Sequence, residues 1–416
     1  MTSASTATVA QDAPALPPVK TDGANLADGL RGHSNSFGIL RLVLASAVVF
    51  SHAFYLGGWG EDPLLSVVQR QESIGGLAVL GFFAISGYLI TKSGANADWL
   101  QFIWRRVLRI FPAFWLVLLV AAFVVGPIAW AFIERRDLAD YYQWGPGSPW
   151  AYLIANWNLS IGQWGIWDIF ATTTPYGPAL NGSLWTLTYE WGSYLIIWVL
   201  VIFGVLKRAA IVVPILTAFY VILEIAHKVV PGSAAQIVPY FGDHYRISLP
   251  LIFLYGACLA LYSRKIPLDW RFALLATLMV LASLRFGGLT VIGYPAIAYL
   301  VMWLAAALPA SLHWIGAKND YSYGMYVYGF LVQQFTAALG WYRWGYVPWV
   351  AVTLVITFGC AWLSWHLVEK RALQLKDVGP GKGLQHWSER IGTRLRSVRR
   401  RSQPATAAPA PVLDAE

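Results

Sequence analysis

The sequence predicts an all-α polytopic membrane protein with about ten transmembrane helices and both termini in the cytoplasm. Of its 416 residues, 57% are hydrophobic and only 12% are charged, and the mean hydropathy is +0.53. Soluble globular domains have a far more polar composition. The Lys and Arg residues behind the net charge of +9 stand in short clusters between apolar runs and in the C-terminal tail. That distribution is typical of membrane topology and argues against binding of nucleic acid.

Ten apolar segments approach the length of about 20 residues that a helix needs to cross the hydrocarbon core. Cys258 and Cys360 both fall inside such segments, without metal-ligand spacing, so we expect two small buried side chains and no disulfide. The predicted spans are residues 37–58, 73–91, 110–133, 184–206, 209–225, 247–262, 267–285, 288–310, 321–340 and 346–368.

Two polar tails are predicted to flank one transmembrane domain, residues 37–375. Residues 1–36 are rich in Ala, Pro and Thr and lack the basic start and apolar core of a signal peptide. They are predicted to form a disordered cytoplasmic tail that is not cleaved. Residues 376–416 are basic and end in low complexity, which predicts a largely disordered cytoplasmic tail that is attracted to anionic membrane lipids, with some helix around 384–400.

Orientation follows from the charges of the connections. If the spans alternate, the basic segment 92–109, the basic residues of 207–208 and 264–271, and the C-terminal tail all lie on one side. Positive connections remain in the cytoplasm, so both termini are predicted to be cytoplasmic. The first span then has Arg41 near its cytoplasmic end and His52 toward the external face.

Arg41 and His52 are eleven positions apart in RLVLASAVVFSH. On a helix this is three turns plus about 20°, so both side chains share one face, with a rise of roughly 16 Å between them. Ionisable residues inside a membrane are costly and are functional candidates for that reason. Two other interpretations remain open: Arg41 can extend to lipid phosphates, and His52 can be a neutral, hydrogen-bonded helix residue.

Two further segments place ionisable residues at or inside predicted spans. Arg106 and Arg109 in WRRVLRIFPAFW are one turn apart on a common face, where paired guanidinium groups are good phosphate ligands. A cytoplasmic positive flank is the alternative explanation of their charge. Glu190 in NGSLWTLTYEWGSYL lies about two turns inside the fourth span, where it serves either a structural ion pair or catalysis.

Several segments follow one another along the chain in a recognisable order: the Arg41 and His52 pair, GFFAISGYLI (81–90), RRVLRIFPAFW (105–115), SLWTLTYE (183–190), YSYGMYVYGF (321–330) and HLVEKRAL (366–373). Taken together, they resemble the acyltransferase 3 family of membrane acyltransferases, and the resemblance covers residues 37 to about 375. It implies transfer of an acyl group from cytoplasmic acyl-CoA to a hydroxyl of an extracytoplasmic glycan or glycolipid. Acetyl is the default group, and succinyl is the main alternative.

The resemblance also implies roles for individual residues. Arg41, Arg106 and Arg109 would contact the phosphates or the pantetheine arm of acyl-CoA, which is a co-substrate and not a bound cofactor; no metal is expected. His52 would deprotonate the acceptor hydroxyl as general base. Glu190 would orient His52 or offset the charge of an arginine.

Three details refine this expectation. Ser51 and Ser86 are nucleophiles in principle, but Ser51 points about 100° away from His52 and Ser86 belongs to a Ser-Gly pair typical of close helix packing. Gly329 stands where many relatives carry a His, so a role that requires that His is absent here or supplied elsewhere. No esterase-like domain follows the spans, and we expect one membrane unit to handle the acceptor.

The acceptor is expected to enter at the long connection 134–183, which is rich in Trp and includes Trp164 and Asp168. Aromatic faces stack on sugar rings and polar side chains bind hydroxyl groups, which predicts a carbohydrate site. An interfacial aromatic belt explains most of these Trp residues equally well.

The resulting prediction is a multi-pass O-acyltransferase of the bacterial inner membrane that acts on acyl-CoA and a surface glycan. The alternative function is a glycolipid or polysaccharide transporter or flippase without acyl transfer, with Arg41 and Glu190 as charges of its pathway. The sequence does not specify an oligomeric state.

Overall fold

The computed structural model describes residues 24–32 and 35–391. Within these ranges the regular structure is helical, no strand forms a sheet, and an isolated bridge pairs Asn25 with Pro267. Ten helices of 17 or more residues make up most of the described chain. They are α1 (Phe37–Leu56), α2 (Ile74–Ala95), α3 (Trp99–Ile133), α4 (Thr186–Ile202), α5 (Val212–Val229), α6 (Tyr245–Leu261), α7 (Trp270–Phe286), α8 (Leu289–Ala307), α9 (Ser322–Ala338) and α10 (Tyr346–Asp377).

Each predicted span overlaps one of these helices. Among the described residues, six helices are long and apolar enough to cross a membrane: α1, α2, α3, α5, α8 and α10. Helices α4 and α6 are apolar and 17 residues long. The chain is therefore an integral membrane protein built from helices.

Helix α3 begins at Trp99, eleven residues before the start predicted from hydrophobicity. Asp98 stabilises this start because its side chain accepts hydrogen bonds from the backbone N–H groups of Leu100 and Gln101, and the Gln101 side chain accepts from the Asp98 N–H. The basic segment that was expected to be a connection is therefore largely helical. Arg106 and Arg109 lie inside α3 as a result.

Helices α2 and α6 pack against each other with their backbones in contact. A Cβ atom at Gly87 would overlap the carbonyl oxygen of Phe253, and one at Gly256 would overlap the carbonyl oxygen of Ala84. Small residues permit such backbone contact between membrane helices. Helix α2 also packs against α1, α4 and α8, so it forms the central element on which the candidate site is built.

Helix α1 lies between α2, α9 and α10. The amide nitrogen of Gln333 on α9 donates to the carbonyl oxygen of Val49 at 2.8 Å, a buried link one turn before His52. Gly329 packs against Val49 at the same level. These contacts hold the half of α1 that contains His52 against α9.

The expected disorder of the N-terminal tail does not extend to residues 24–32. A short helix, Leu26–Gly29, follows Asn25, whose side chain accepts a hydrogen bond from the Asp28 N–H. Leu26 and Leu30 are buried in a cluster with Leu268, because their spacing places both on one helical face. Residues 1–23 and 33–34 lie outside the described residues.

The C-terminal tail also begins later than predicted. Beyond α10, Gly379–Lys382 forms a 3₁₀ turn and residues 383–391 are helical. The Leu384 N–H donates to Asp98 at 2.9 Å, which folds this segment back onto the start of α3. The predicted helix around 384–400 is therefore present as far as 391, and residues 392–416 lie outside the described residues.

Candidate active site

Two cavities lie next to each other between α1, α2, α4 and α9. The first, here called the arginine cavity, encloses about 230 Å³; the second, the histidine cavity, encloses about 530 Å³. Val79, Thr186 and Tyr326 line both cavities, and the Thr186 and Tyr326 hydroxyl groups are hydrogen bonded to each other. The polar residues of the arginine cavity include Arg41, Ser86, Arg105, Arg106, Arg109, Glu190, Tyr194 and Lys376. Those of the histidine cavity include Ser51, His52, Tyr55, Arg70, Glu72, Lys228 and His244.

Helix α1 contributes to both cavities. Arg41 lines the arginine cavity and His52 lines the histidine cavity, so one helical face serves the two, as the spacing predicts. Arg106 and Arg109 join Arg41 from the face of α3. The structure therefore brings three sequence-predicted arginines together and places His52 beyond the shared Thr186 and Tyr326 wall.

Asp320, which the sequence analysis missed, holds two of these arginines. Its carboxylate accepts from the guanidinium groups of Arg41 at 3.2 Å and Arg109 at 2.5 Å. The Ser322 hydroxyl and backbone N–H donate to its other oxygen at 2.6 and 3.2 Å, which anchors the start of α9. Burial alone would raise the pKa of Asp320, but the two guanidinium charges and the Ser322 hydrogen bonds hold it well below its usual range.

Arg106 has no ion pair with a described carboxylate. Its guanidinium carbon lies 5.8 Å from the ring centre of Phe102 and 6.0 Å from that of Tyr194. Its Nε is buried without a hydrogen-bond partner in the described part of the chain. The donors of Arg106 are therefore available to an anion that enters the cavity.

Glu190 lies in the arginine cavity and does not line the histidine cavity. Its carboxylate accepts hydrogen bonds from Ser86 at 3.2 Å and Tyr194 at 2.5 Å. Glu190 therefore shares a cavity with the arginines, and the hydrogen bonds that it accepts come from Ser86 and Tyr194 rather than from His52. Ser86 faces the cavity, while its neighbour Gly87 provides the close helix contact expected of the Ser-Gly pair.

The His52 imidazole packs edge-on against Phe330, with ring centres 5.4 Å apart. Its Nδ1 is buried without a hydrogen-bond partner among the described residues. Neighbouring Ser51 donates to the buried carboxylate of Asp62 at 2.5 Å, and Asp62 also accepts from the Ile74 N–H at 3.0 Å. Ser51 thus ties α1 to the connection before α2, which disfavours it as a nucleophile.

Gly329 occupies a position without space for a side chain. A Cβ atom there would lie 2.6 Å from a methyl carbon of Val49, well inside van der Waals contact. Val49 precedes His52 by one turn, so a His at position 329 would require α1 or Val49 to shift. The packing around position 329 therefore favours glycine.

The wall of the histidine cavity formed by α5, α6 and the connection before α2 was also missed. Glu224, fully buried, lies 3.7 Å from Lys228 Nζ and 3.5 Å from His244 Nδ1, and both of these residues line the cavity. Glu72 lines it as well; burial, with a smaller contribution from the Asp62 charge, raises the pKa of Glu72 from 4.5 to about 7. These residues lie in three separate segments, so no local motif joins them.

Trp164 and Asp168 line neither cavity. Asp168 forms a two-pronged ion pair with Arg136, at 2.5 and 2.7 Å, on the exposed connection between α3 and α4. That ion pair lowers the pKa of Asp168. The same connection is tied to α9 through Asn181, which donates to the Val327 carbonyl oxygen at 2.8 Å.

The described residues include no group of three or more His, Cys, Asp and Glu residues placed to hold a metal ion. The fold and cavities define an integral membrane protein with two adjacent internal cavities, one lined by several arginines and the other by two histidines.

The chain belongs to the acyltransferase 3 family, whose model, described as an acyltransferase domain, matches residues 34–366. It is 30% identical over 353 residues to the O-acetyl transferase of Shigella phage Sf6, which covers 82% of this chain and 96% of that protein. It is 29% identical over 377 residues to Nodulation protein 10 of Rhizobium leguminosarum bv. viciae, with 83% and 95% covered. No solved structure matches the chain. The protein is therefore a membrane O-acyltransferase.

Proposed function

We propose that the protein transfers an acyl group from cytoplasmic acyl-CoA to a hydroxyl of an extracytoplasmic glycan or glycolipid. The observation that carries this proposal is the meeting of the arginine and histidine cavities at Val79, Thr186 and Tyr326. Acetyl is the proposed acyl group, with succinyl as the alternative. The name of the phage relative, an O-acetyl transferase, supports acetyl.

The proposed topology has ten transmembrane helices, with both termini in the cytoplasm of a bacterium and the protein in its inner membrane. Helix α1 begins and α10 ends beside the arginine cavity. The arginine cavity thus lies at the end of the helix bundle that the basic connections predict to be cytoplasmic. This orientation supports entry of acyl-CoA on the arginine side and of the glycan on the histidine side.

The donor fits the charges of the arginine cavity. Five cationic side chains and one carboxylate, that of Glu190, line this cavity. Arg41 and Arg109 also form ion pairs with Asp320, which does not line the cavity. An excess of cations favours a phosphorylated ligand, and guanidinium groups bind phosphate through paired donors. The nucleotide of acyl-CoA would occupy this cavity, and its pantetheine arm would extend past Thr186 and Tyr326 to the thioester site.

His52 is the proposed general base. The imidazole accepts the proton of the acceptor hydroxyl as its oxygen attacks the thioester carbonyl. The tetrahedral intermediate collapses with cleavage of the carbon–sulfur bond, and the imidazolium returns the proton to the leaving CoA thiolate. An ester and free CoA result, without a serine-linked intermediate.

The remaining predicted residues have supporting roles in this proposal. Glu190 balances the charge of Arg106 within the arginine cavity. Trp164 and Asp168 stay predicted contacts for a large glycan at the rim, because neither side chain reaches the cavity in which chemistry is proposed.

The test is release of free CoA by the purified full-length protein supplied with acetyl-CoA and an extract of envelope glycans. His52→Ala is compared with wild type and with His313→Ala, a control whose side chain lines neither cavity. We expect acceptor-dependent release and an acetylated glycan with wild type and control, and loss of both with His52→Ala. Release that is equal in His52→Ala removes His52 as the base. Glycolipid translocation without release of CoA from any acyl donor would instead establish the transporter.

A further inference from the structure

The last turns of α10 and the residues that follow them pack against α3. Residues 370–384, here called the C-terminal strap, lie beyond the 34–366 range of the family match. Trp104 Nε1 donates to the Leu375 carbonyl oxygen at 2.9 Å, and Gln101 Nε2 donates to the Gly381 carbonyl oxygen at 3.2 Å. The N-terminal half of α3, which also contains three arginines of the cavity, therefore positions the strap.

The strap forms part of the arginine cavity. Leu373 and Lys376 both line it, together with Arg105 and Arg106 of α3. They are three residues apart at the helical end of α10, a spacing that places two side chains on one face. The mouth of the cavity thus has a wall from outside the matched domain.

The ion pairs distinguish the cations of this wall that are paired with a carboxylate from those that can bind an anionic ligand. Arg105 is paired with Asp377 of the strap at 3.0 Å, whereas Lys376 has no ion pair with a described carboxylate. Lys376 is exposed at the mouth, while Arg106 lies deeper and is also without an ion pair in residues 24–32 and 35–391. Two cations without a carboxylate partner among the described residues, one inside the cavity and one at its mouth, favour binding of a phosphorylated ligand.

We propose that Lys376 binds a phosphate of the nucleotide part of acyl-CoA, so that the C-terminal strap forms part of the donor site. This inference rests on the proposed function, because the donor is CoA only if that proposal holds. A lysine is a compact charge on a flexible stem, which suits a phosphate at an exposed mouth. Leu373 supplies the neighbouring apolar contact, and the Arg105–Asp377 ion pair fixes the strap.

The experiment measures the KM for acetyl-CoA and kcat of Lys376→Gln in the full-length protein. We expect the KM to rise about tenfold with kcat within a factor of about two, because a charged hydrogen bond to bound donor is lost without a change at the reacting atoms. Lys376→Glu, which repels phosphate, is expected to raise the KM further. Lys382→Gln is the matched control, since Lys382 is an exposed strap residue that does not line the cavity.

A second donor identifies the contact. S-acetylpantetheine retains the thioester and lacks every phosphate, so wild type and Lys376→Gln are expected to use it equally well. An unchanged KM for acetyl-CoA in both Lys376 variants, with Arg106→Gln still raising it, would overturn the role of the strap and leave the proposed function intact. A wild-type protein that releases no CoA with any acceptor extract would instead count against the proposed function itself.

Discussion

The hydroxyl groups of Thr186 and Tyr326 hydrogen bond to each other in the wall shared by the arginine and histidine cavities. One residue comes from the start of α4 and the other from the middle of α9. A pantetheine arm that connects the two cavities must pass this pair. We therefore expect the Thr186–Tyr326 contact to limit the width of the proposed reaction path.

Narrowing this path is expected to block transfer while donor binding persists. Val79 lines both cavities beside the pair, and Val79→Trp fills the passage with a large side chain. We expect kcat to fall about a hundredfold, as misplacement of a reacting group by about 1 Å is sufficient for such a loss. Binding of radiolabelled acetyl-CoA should change little. Val43→Trp, at an exposed position of α1, is the control for the added indole, and a Val79→Trp enzyme with full kcat contradicts the path.

Asp320→Asn is expected to destabilise the protein, because Arg41 and Arg109 lose the carboxylate that they share. Removal of one partner from a buried ionic group costs about 3 kcal/mol. The pKa of Asp320 is depressed in the folded protein, so the stabilisation is fully present above the ordinary value of 3.8 and is lost only as the pH falls below it. Thermal unfolding in detergent should thus show a lower Tm for the variant throughout pH 5 to 8. Equal Tm values would show that the carboxylate contributes nothing.

The ionisation of Glu72 is expected to change the stability with pH in the direction opposite to that of Asp320. Its pKa is raised from 4.5 to about 7, mainly by burial, so the folded protein binds a proton that the unfolded chain has released between these values. The contribution of Glu72 to stability therefore falls as the pH rises from 4.5 to about 7, and it is constant above. Glu72→Gln should abolish this component of the Tm profile and leave the protein more stable than wild type at pH 7.5. An unchanged profile would exclude a raised pKa.

Gly329→Ala is expected to lower stability by about 1 to 2 kcal/mol, because its Cβ would lie 2.6 Å from a Val49 methyl carbon. Val49→Ala removes that methyl group, so the double variant should recover part of the loss. The measurement is a double-mutant cycle of unfolding in detergent. Additive effects of the two substitutions would mean that the two residues do not contact each other in the folded protein.

The Asp168→Asn substitution tests whether Asp168 only forms a surface ion pair or also contacts the glycan. Its carboxylate pairs with Arg136 at an exposed position, where such pairs are worth about 0 to 1 kcal/mol. We expect a small change in Tm and an unchanged KM for the glycan if Asp168 serves only Arg136. A rise in the glycan KM, with the KM for acetyl-CoA constant, would support the carbohydrate contact predicted from the sequence.

Hydrophobic length located the ten long helices of the described residues. Helical spacing placed Arg106 and Arg109 on one face, and their common role with Arg41 was an implication of the family resemblance. Asp320 escaped prediction because it stands in a polar connection, where nothing local distinguishes a buried carboxylate from a solvated one. Buried arginines such as Arg41 and Arg109 imply that a carboxylate lies nearby. The sequence contains many acidic residues, however, and does not indicate which of them is the partner. Glu72 and His244 come from segments far apart in the sequence, so only the packing of α2, α5 and α6 brings them to one wall.

Both tails were predicted to be disordered from their composition, yet part of each packs against the helices. Leu26 and Leu30 are two apolar residues in a polar segment, and their contribution depends on Leu268, which is distant in sequence. Two of the hydrogen bonds that hold the strap are accepted by its backbone carbonyl oxygens, which the side-chain pattern of the strap does not reveal. Composition describes the average of a segment, whereas docking depends on a few atoms.

The carboxylate of Asp320 provides one negative charge to two guanidinium groups. Asp320 therefore balances only one of the two guanidinium charges, and we expect simple oxyanions to bind there in competition with the donor. Sulfate or phosphate in a purification buffer should raise the Tm as its concentration increases, as any ligand of the folded state does. The same ions should inhibit the enzyme competitively with acetyl-CoA, so the salt chosen for storage and the salt chosen for assay need to differ.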